Sequence, residues 1–338
     1  MKREDHYNSF TALRLLGAFL VLLSHSFDLL GVSEPLDEYI GIKFSRLGLW
    51  IFFSISGYLI GSSAIYSKNI KSYFWKRFLR IFPALIVVVL VSLSLLGPMF
   101  TSYSINEYFS QGSTYSYFNN ILLYRNHYSL PGVFSANPEG NVINGSLWTL
   151  AYEFSFYTLA SALVLLPKSF HKITCLSLII ITTTLYVMGM NDSSLTLPFF
   201  HLNFKHLGEF GILFAMGAGC QLLKLDEIRV SWVIMALLSA VFIILLILRF
   251  ELLLLFIFAP YIILIGLQKS IFSSLDSFGD ISYGIYLYSF PIQQAIIFLY
   301  QPISPWVLLG LAGVAASIFG YLSWIIVEKP ILKFKSLL

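Results

Sequence analysis

Charge is what this 338-residue chain most lacks. Asp, Glu, Lys and Arg together make up 11% of it, against about 25% in an average soluble domain. That scarcity excludes a charged, water-facing globule and leaves no room for a sizeable soluble domain. Cysteine is nearly absent as well. Cys175 and Cys220 are the two present, both inside apolar stretches without neighbouring Cys or His ligands, which argues against a disulfide scaffold or a zinc site. No internal repeat or low-complexity tract is found. The net charge of +4 is too small and too dispersed to suggest nucleic acid, and it reads better through its placement along the chain. The opening Met-Lys-Arg-Glu-Asp-His-Tyr leads into an apolar run without a small-residue cleavage site, so an uncleaved first span is expected.

What is present is apolar surface, with 57% of residues hydrophobic. Ten stretches approach the ~20 residues that a helix needs to cross a bilayer: 10–30, 46–65, 79–99, 146–166, 172–190, 206–223, 230–248, 251–268, 281–300 and 304–327. The expectation is an all-α, polytopic integral membrane protein, a single transmembrane domain over 1–338. The sixth stretch holds four glycines, and only Arg249-Phe-Glu251 separates the seventh from the eighth. Nine or eleven spans are the alternatives. The basic residues favour ten. With the N-terminus inside, fifteen of the 21 fall in internal segments, including Lys2, Arg3, Arg229, Lys269 and the cluster Lys68, Lys71, Lys76, Arg77 and Arg80. Five fall outside, namely Lys43, Arg46, Arg125, Lys205 and Arg249, and Arg14 completes the total. That bias places both termini in the cytoplasm. The third span is expected to begin near Arg80, with Pro83 in its first turn. The external segment 100–145 is long, polar and rich in Tyr, Asn and Ser, and is expected to be functional or mobile.

Against this background a few ionisable residues stand out. Arg14 and His25 lie eleven apart in the first span. At about 100° per residue they come within about 20° of one helix face, about 16 Å apart along the axis. His25 lies deep in a strongly apolar span, whereas the other five histidines lie in loops or at span ends. An imidazole titrates at about 6.5 and suits proton transfer. A packed histidine bonded to a neighbouring helix is the equal alternative. Arg14 reads either as a ligand for an anion or as an anchor snorkelling to the headgroups. Asp28 either orients His25 or marks the outer end of the span, and the second is favoured. Arg77 and Arg80, three apart, can act together on an anion or simply obey the positive-inside rule. Glu153 falls about two turns into the fourth span, where a carboxylate needs a partner, either an arginine or His25. Asn144 or Ser146 can cap that helix, and Trp148 suits an interfacial belt. Ser56-Gly57 suggests close helix approach. Glu209, heading the sixth span, reads as a carboxylate favoured by a helix N-terminus.

Together these segments resemble acyltransferase family 3, the bacterial membrane O-acyltransferases of surface polysaccharides. The resemblance rests on Arg14-x10-His25, Phe52-Phe53-Ser-Ile-Ser56-Gly57-Tyr58, Lys76-Arg77-Phe-Leu-Arg80-Ile-Phe-Pro83 and Ser146-Leu-Trp148-Thr-Leu-Ala-Tyr-Glu153. Glu209-Phe210, Ser282-Tyr283-Gly-Ile-Tyr286-Leu287 and Glu328-Lys-Pro330 continue it. Each motif alone is weak; their order and spacing over nearly the whole chain are specific. One departure is Ser289, which stands where many members carry a histidine. The chain also lacks the esterase-like domain that some members append.

The resemblance implies a multi-pass protein of the bacterial cytoplasmic membrane. It implies acetyl-CoA, or another acyl-CoA, as co-substrate with no bound cofactor or metal. The implied acceptor is a sugar hydroxyl on a polymeric or lipid-linked glycan such as a lipopolysaccharide O-antigen. It assigns donor binding to Arg14, Arg77 and Arg80, and catalysis to His25 with Glu153 orienting it. Membrane lipids are expected partners and nucleic acid is not. A glycan or lipid transporter without acyl-transfer chemistry is the alternative reading, as is a platform that has lost catalysis.

Overall fold

The computed structural model describes residues 9–228, 230–268 and 279–337. Lys2, Arg3, His6, Arg229 and Lys269 lie outside the described residues. Within them, ten helices of twelve or more residues follow the apolar stretches closely. They are α1 (Phe10–Asp28), α2 (Phe44–Ile65), α3 (Ile70–Val91), α4 (Thr149–Ala160) and α5 (His171–Asn191), then α6 (Phe204–Leu222), α7 (Trp232–Ile247), α8 (Glu251–Leu267), α9 (Ser282–Tyr300) and α10 (Pro305–Ser323). The sole paired strands among the described residues are Thr196–Leu197 and Leu202–Asn203, a minimal hairpin. Five helical stretches are long and apolar enough to cross a membrane: Phe10–Asp28, Phe44–Ile65, Ile70–Phe100, Lys168–Asn191 and Pro305–Lys335. Their outward faces carry large apolar side chains, such as Leu176 and Ile180 on α5 and Val314 and Ile318 on α10. Water solvates such a perimeter poorly, whereas lipid accepts it. The chain is an integral membrane protein.

The expected start of the third span needs correction. α3 starts at Ile70, ten residues before Arg80, where the Asn69 side chain accepts the Ser72 N–H. The basic segment is therefore mostly helix, and Pro83 lies inside the helix rather than in its first turn. In an apolar bundle such an interior proline is tolerated because neighbouring groups satisfy the freed carbonyl. Segment 101–144 is a folded cap, with short helices at Ile105–Ser110 and Gly112–Ser116. Tyr108, Tyr117 and Phe134 are its buried core. It is tied to α9 by Asn137, which donates to the Gln294 side chain at 2.7 Å, and by Gln294, which donates to the Val142 carbonyl at 2.8 Å. The link between α7 and α8 is as tight as the sequence demands, with Arg249 in the left-handed region at φ 57°.

Glycine governs how closely the central helices approach. A Cβ on Gly57 of α2 would overlap the Phe214 carbonyl of α6, and one on Gly217 would overlap the Ser54 carbonyl. The two backbones thus meet directly, as Ser56-Gly57 suggests. Such contact replaces a hydrophobic driving force with packing, which is what holds helices together in lipid. Arg46 closes the far end of the same pair. Its guanidinium bonds Glu209, which also accepts the Trp50 indole N–H, and reaches Glu251 at 2.9 Å. Glu209 is 1% exposed and lies beyond the first turn of α6. Its stabilising partner is Arg46, not the helix N-terminus. Gly57→Val should therefore lower the thermal unfolding midpoint in detergent sharply, by the equivalent of about 3 kcal/mol or more. Gly61→Ala, where the nearest atoms are 3.2 Å away on Ala218, should cost about 1 kcal/mol. Equal midpoints for both would show that the contact does not limit stability.

Candidate active site

Arg14 and His25 share one face of α1, and both meet α9 or the residues leading into it. Arg14 forms an ion pair with Asp280. His25 packs edge-on to Phe290, ring centres 5.1 Å apart. The helical spacing read from the sequence therefore holds in space.

Asp280 is the centre of the charged end. It receives Arg14 and also Arg80, whose Nη2 is 2.7 Å away, while the Ser282 hydroxyl donates to its second oxygen. Burial raises the Asp280 carboxyl, but the two guanidinium groups overcome this and hold it well below the usual carboxylate range. Gly279 delivers it there, at φ 85° and with its open face against the Trp324 indole, where a Cβ would clash. Arg80 also bonds Glu328 at 3.2 Å and lies over the Tyr283 ring at 5.4 Å. Glu328 in turn accepts the Ser323 hydroxyl. Arg14 and Arg80 are thus charge-compensated and fixed in place.

Arg77 is different. Its guanidinium lies over Tyr157 at 5.7 Å and Tyr73 at 5.9 Å, with a long 3.4 Å bond to Ser63. Its buried Nε has no hydrogen-bond partner, and no carboxylate pairs with it among the described residues. A cavity of about 330 Å³ opens beside it. Arg14, Lys76, Arg77, Arg80 and Lys335 line it, with Asp280 and Glu153 as the lining anions among the described residues. Phe52, Ser56, Thr149, Tyr283 and Tyr286 contribute aromatic and hydroxyl walls. An excess of cations beside largely apolar walls suits an anionic head carrying an apolar tail.

Glu153 lies on this cavity, which corrects its expected link to His25. Its carboxylate accepts the Tyr157 and Ser56 hydroxyls, and no hydrogen bond joins it to His25. α4 carries it round to the cavity face instead. His25 itself does not line the cavity. Its Nδ1 is buried and has no hydrogen-bond partner. The path between them is short in sequence terms. Tyr286, on the cavity wall, donates to the Ser146 carbonyl at 2.7 Å, and Gly145 abuts Phe290, the ring that touches His25. The Ser146 hydroxyl is also buried and without a partner. Asp28 ends α1 and pairs with Lys43 at 2.7 Å, so it marks the helix end as favoured. Beyond it, Glu34 accepts the Phe44 N–H at 2.9 Å, and burial pushes its carboxyl up.

Sequence reasoning missed several groups. Asp280 is the counter-charge to two of the clustered arginines, Arg14 and Arg80, and its place two residues before Ser282-Tyr283 was the available signal. Gln293 was missed too; it donates to the Leu22 carbonyl and the Ser26 hydroxyl, on either side of His25 in α1. An amide within an apolar span was its signal. Ser289 is fully buried, and its hydroxyl donates to the Tyr286 carbonyl one turn back, at 3.4 Å. Cys175 and Cys220 are separate buried thiols.

Comparison with known proteins agrees with this arrangement. Residues 7–327 match the model of an acyltransferase domain. The chain is 29% identical over 353 residues to an O-acetyl transferase of Shigella phage Sf6, covering 96% of each protein. It is also 29% identical over 368 residues to nodulation protein 10 of Rhizobium leguminosarum bv. viciae, covering 98% of this chain and 95% of that one. No solved structure matches. The match spans nearly the whole chain and contains Arg14, His25, Arg77, Arg80, Glu153 and Asp280, and on that ground the chain belongs to acyltransferase family 3 and is a membrane acyltransferase.

Proposed function

We propose that the chain transfers an acyl group, most simply acetyl, from cytoplasmic acyl-CoA to a sugar hydroxyl. The acceptor is a cell-surface polysaccharide or its lipid-linked precursor. The observation that carries this reading is the uncompensated Arg77 lining a partly apolar cavity. In this reading all ten helices cross the bacterial cytoplasmic membrane, with both termini and the Arg14–Asp280–Arg80 cluster inside. The positive-inside bias supports that orientation.

Arg77, with Lys76 and Lys335, takes the phosphates of the donor. Arg14 and Arg80, locked by Asp280, complete the basic rim. The pantetheine arm then runs along the cavity toward Tyr286, placing the thioester near the Ser146–His25 region. The acceptor hydroxyl enters from the opposite face. His25 takes its proton, the oxygen attacks the thioester carbonyl, and the C–S bond breaks. The leaving thiolate recovers the proton from the imidazolium, which restores His25. Glu153, bonded to Tyr157 and Ser56, acts as a polar wall beside the arm rather than as the partner of His25.

Two experiments on the purified protein test these roles. His25→Ala should lose about 10²–10⁴-fold in transfer from labelled acetyl-CoA to glycan while keeping its unfolding midpoint. Full activity in that variant removes the acid/base assignment. Arg77→Ala should raise the donor Kd roughly tenfold or more, because charge-assisted bonds contribute about 1.5–3 kcal/mol. Calorimetric titration with acetyl-CoA measures it, and an unchanged Kd places the phosphates elsewhere.

A further inference from the structure

A second cavity, of about 430 Å³, lies on the other side of α4. Its walls are rings: Tyr124, Tyr128, Trp148, Tyr152 and Phe200. Phe200 and Tyr124 are 4.9 Å apart, and Trp148 and Tyr152 are 5.4 Å apart. Arg125, Asn126 and His201 add polar groups. Arg125 has no carboxylate partner among the described residues. Flat apolar faces combined with a few hydrogen-bonding groups match a pyranose, which has C–H faces and a hydroxyl perimeter.

The wall that presents Phe200 and His201 is held in an unusual shape. Phe199 and His201 both adopt left-handed backbone, at φ 67° and 52°; histidine visits that region more readily than most residues, whereas for a bulky phenylalanine it is unusual. The Thr196–Leu197 and Leu202–Asn203 hairpin closes this loop. The Asn203 N–H donates to the Tyr152 hydroxyl at 2.8 Å, fastening the loop to the opposite wall. Backbone strain of this kind concentrates where a side chain must be held toward a ligand.

The position is equally informative. Trp148, Ala151 and Tyr152 face this cleft, while Thr149, Leu150 and Glu153 face the first cavity. The Ile143 N–H donates to the Tyr128 carbonyl at 2.7 Å. Two residues further on, Gly145 lies against Phe290, the ring in contact with His25. The cleft therefore flanks the region where His25 would act.

We propose that this cleft binds a saccharide unit of the acceptor, one adjoining the sugar that is acylated. The assignment rests on the acyl-transfer reading above and names where its second substrate is held. It makes acceptor choice a property of the 124–128 and 199–202 segments, separate from donor choice.

The test uses the full chain in detergent and two variants on exposed positions, Phe200→Ala and Arg125→Gln. The probe is water-soluble oligosaccharide released by mild acid from the producing cell's surface polysaccharide and de-O-acylated with base. Saturation-transfer NMR reads its binding, and calorimetry reads acetyl-CoA binding. Both variants should bind the saccharide roughly tenfold more weakly, with donor Kd unchanged and Phe200→Tyr close to wild type. Equal saccharide binding in wild type and both variants overturns the assignment, as does no binding by the wild type. Saccharide binding that is lost in the variants, in a wild type that transfers no acetyl group, supports the cleft and sinks the acyl-transfer reading alone.

Discussion

A carboxylate between two guanidinium groups sets the terms for the rest of this molecule. Asp280 draws Arg14 from α1 and Arg80 from α3 to the start of α9, and Glu328 binds Arg80 from beyond α10. Charges are expensive in an apolar bundle unless paired. Four segments far apart in sequence are therefore fixed to one another wherever these side chains meet. The pairing also decides which cation remains free. With Arg14 and Arg80 paired, Arg77 is the arginine of this cluster left with an unmet donor among the described residues, which under the proposed function separates anchoring residues from donor-binding ones.

Much of the fold was legible because each helix is apolar over nearly its whole length. Periodicity and length were enough to place ten helices within a few residues. The beginning of α3 was not, because a basic, aromatic run such as Lys71–Arg80 looks alike as an exposed loop and as a helix projecting from a membrane. The Asn69 cap distinguishes them, and it is a weak signal in sequence. The site was legible in part. The common face of Arg14 and His25 follows from helix geometry alone. The partner of Glu153 did not, because any of several helices brings a group to it, and only packing chooses Tyr157 and Ser56. Glu209 was misassigned for the same reason: its neighbour in sequence suggested a helix end, and its neighbour in space is Arg46.

Helix α4 serves as a partition. One set of its side chains lines the basic cavity and the other lines the aromatic cleft, so a single turn of helix separates two chemically different spaces. The 143–146 segment adds a connection, since it bonds the cleft wall at Tyr128 and abuts the ring beside His25. The cap of 101–144, anchored on α9 through Asn137 and Gln294, holds that segment in place.

α10 runs into a π-helical turn at Trp324–Glu328, followed by an α-helical turn at Lys329–Leu332 and a 3-10 turn at Lys333–Ser336. A π turn contains one residue more than its rise requires. Removing that residue would swing everything after it by about 100°, taking Lys335 away from the cavity it lines. In this short stretch the number of residues therefore matters as much as the identity of Glu328 and Lys335. One residue more or fewer there would misplace Lys335 as surely as replacing it would.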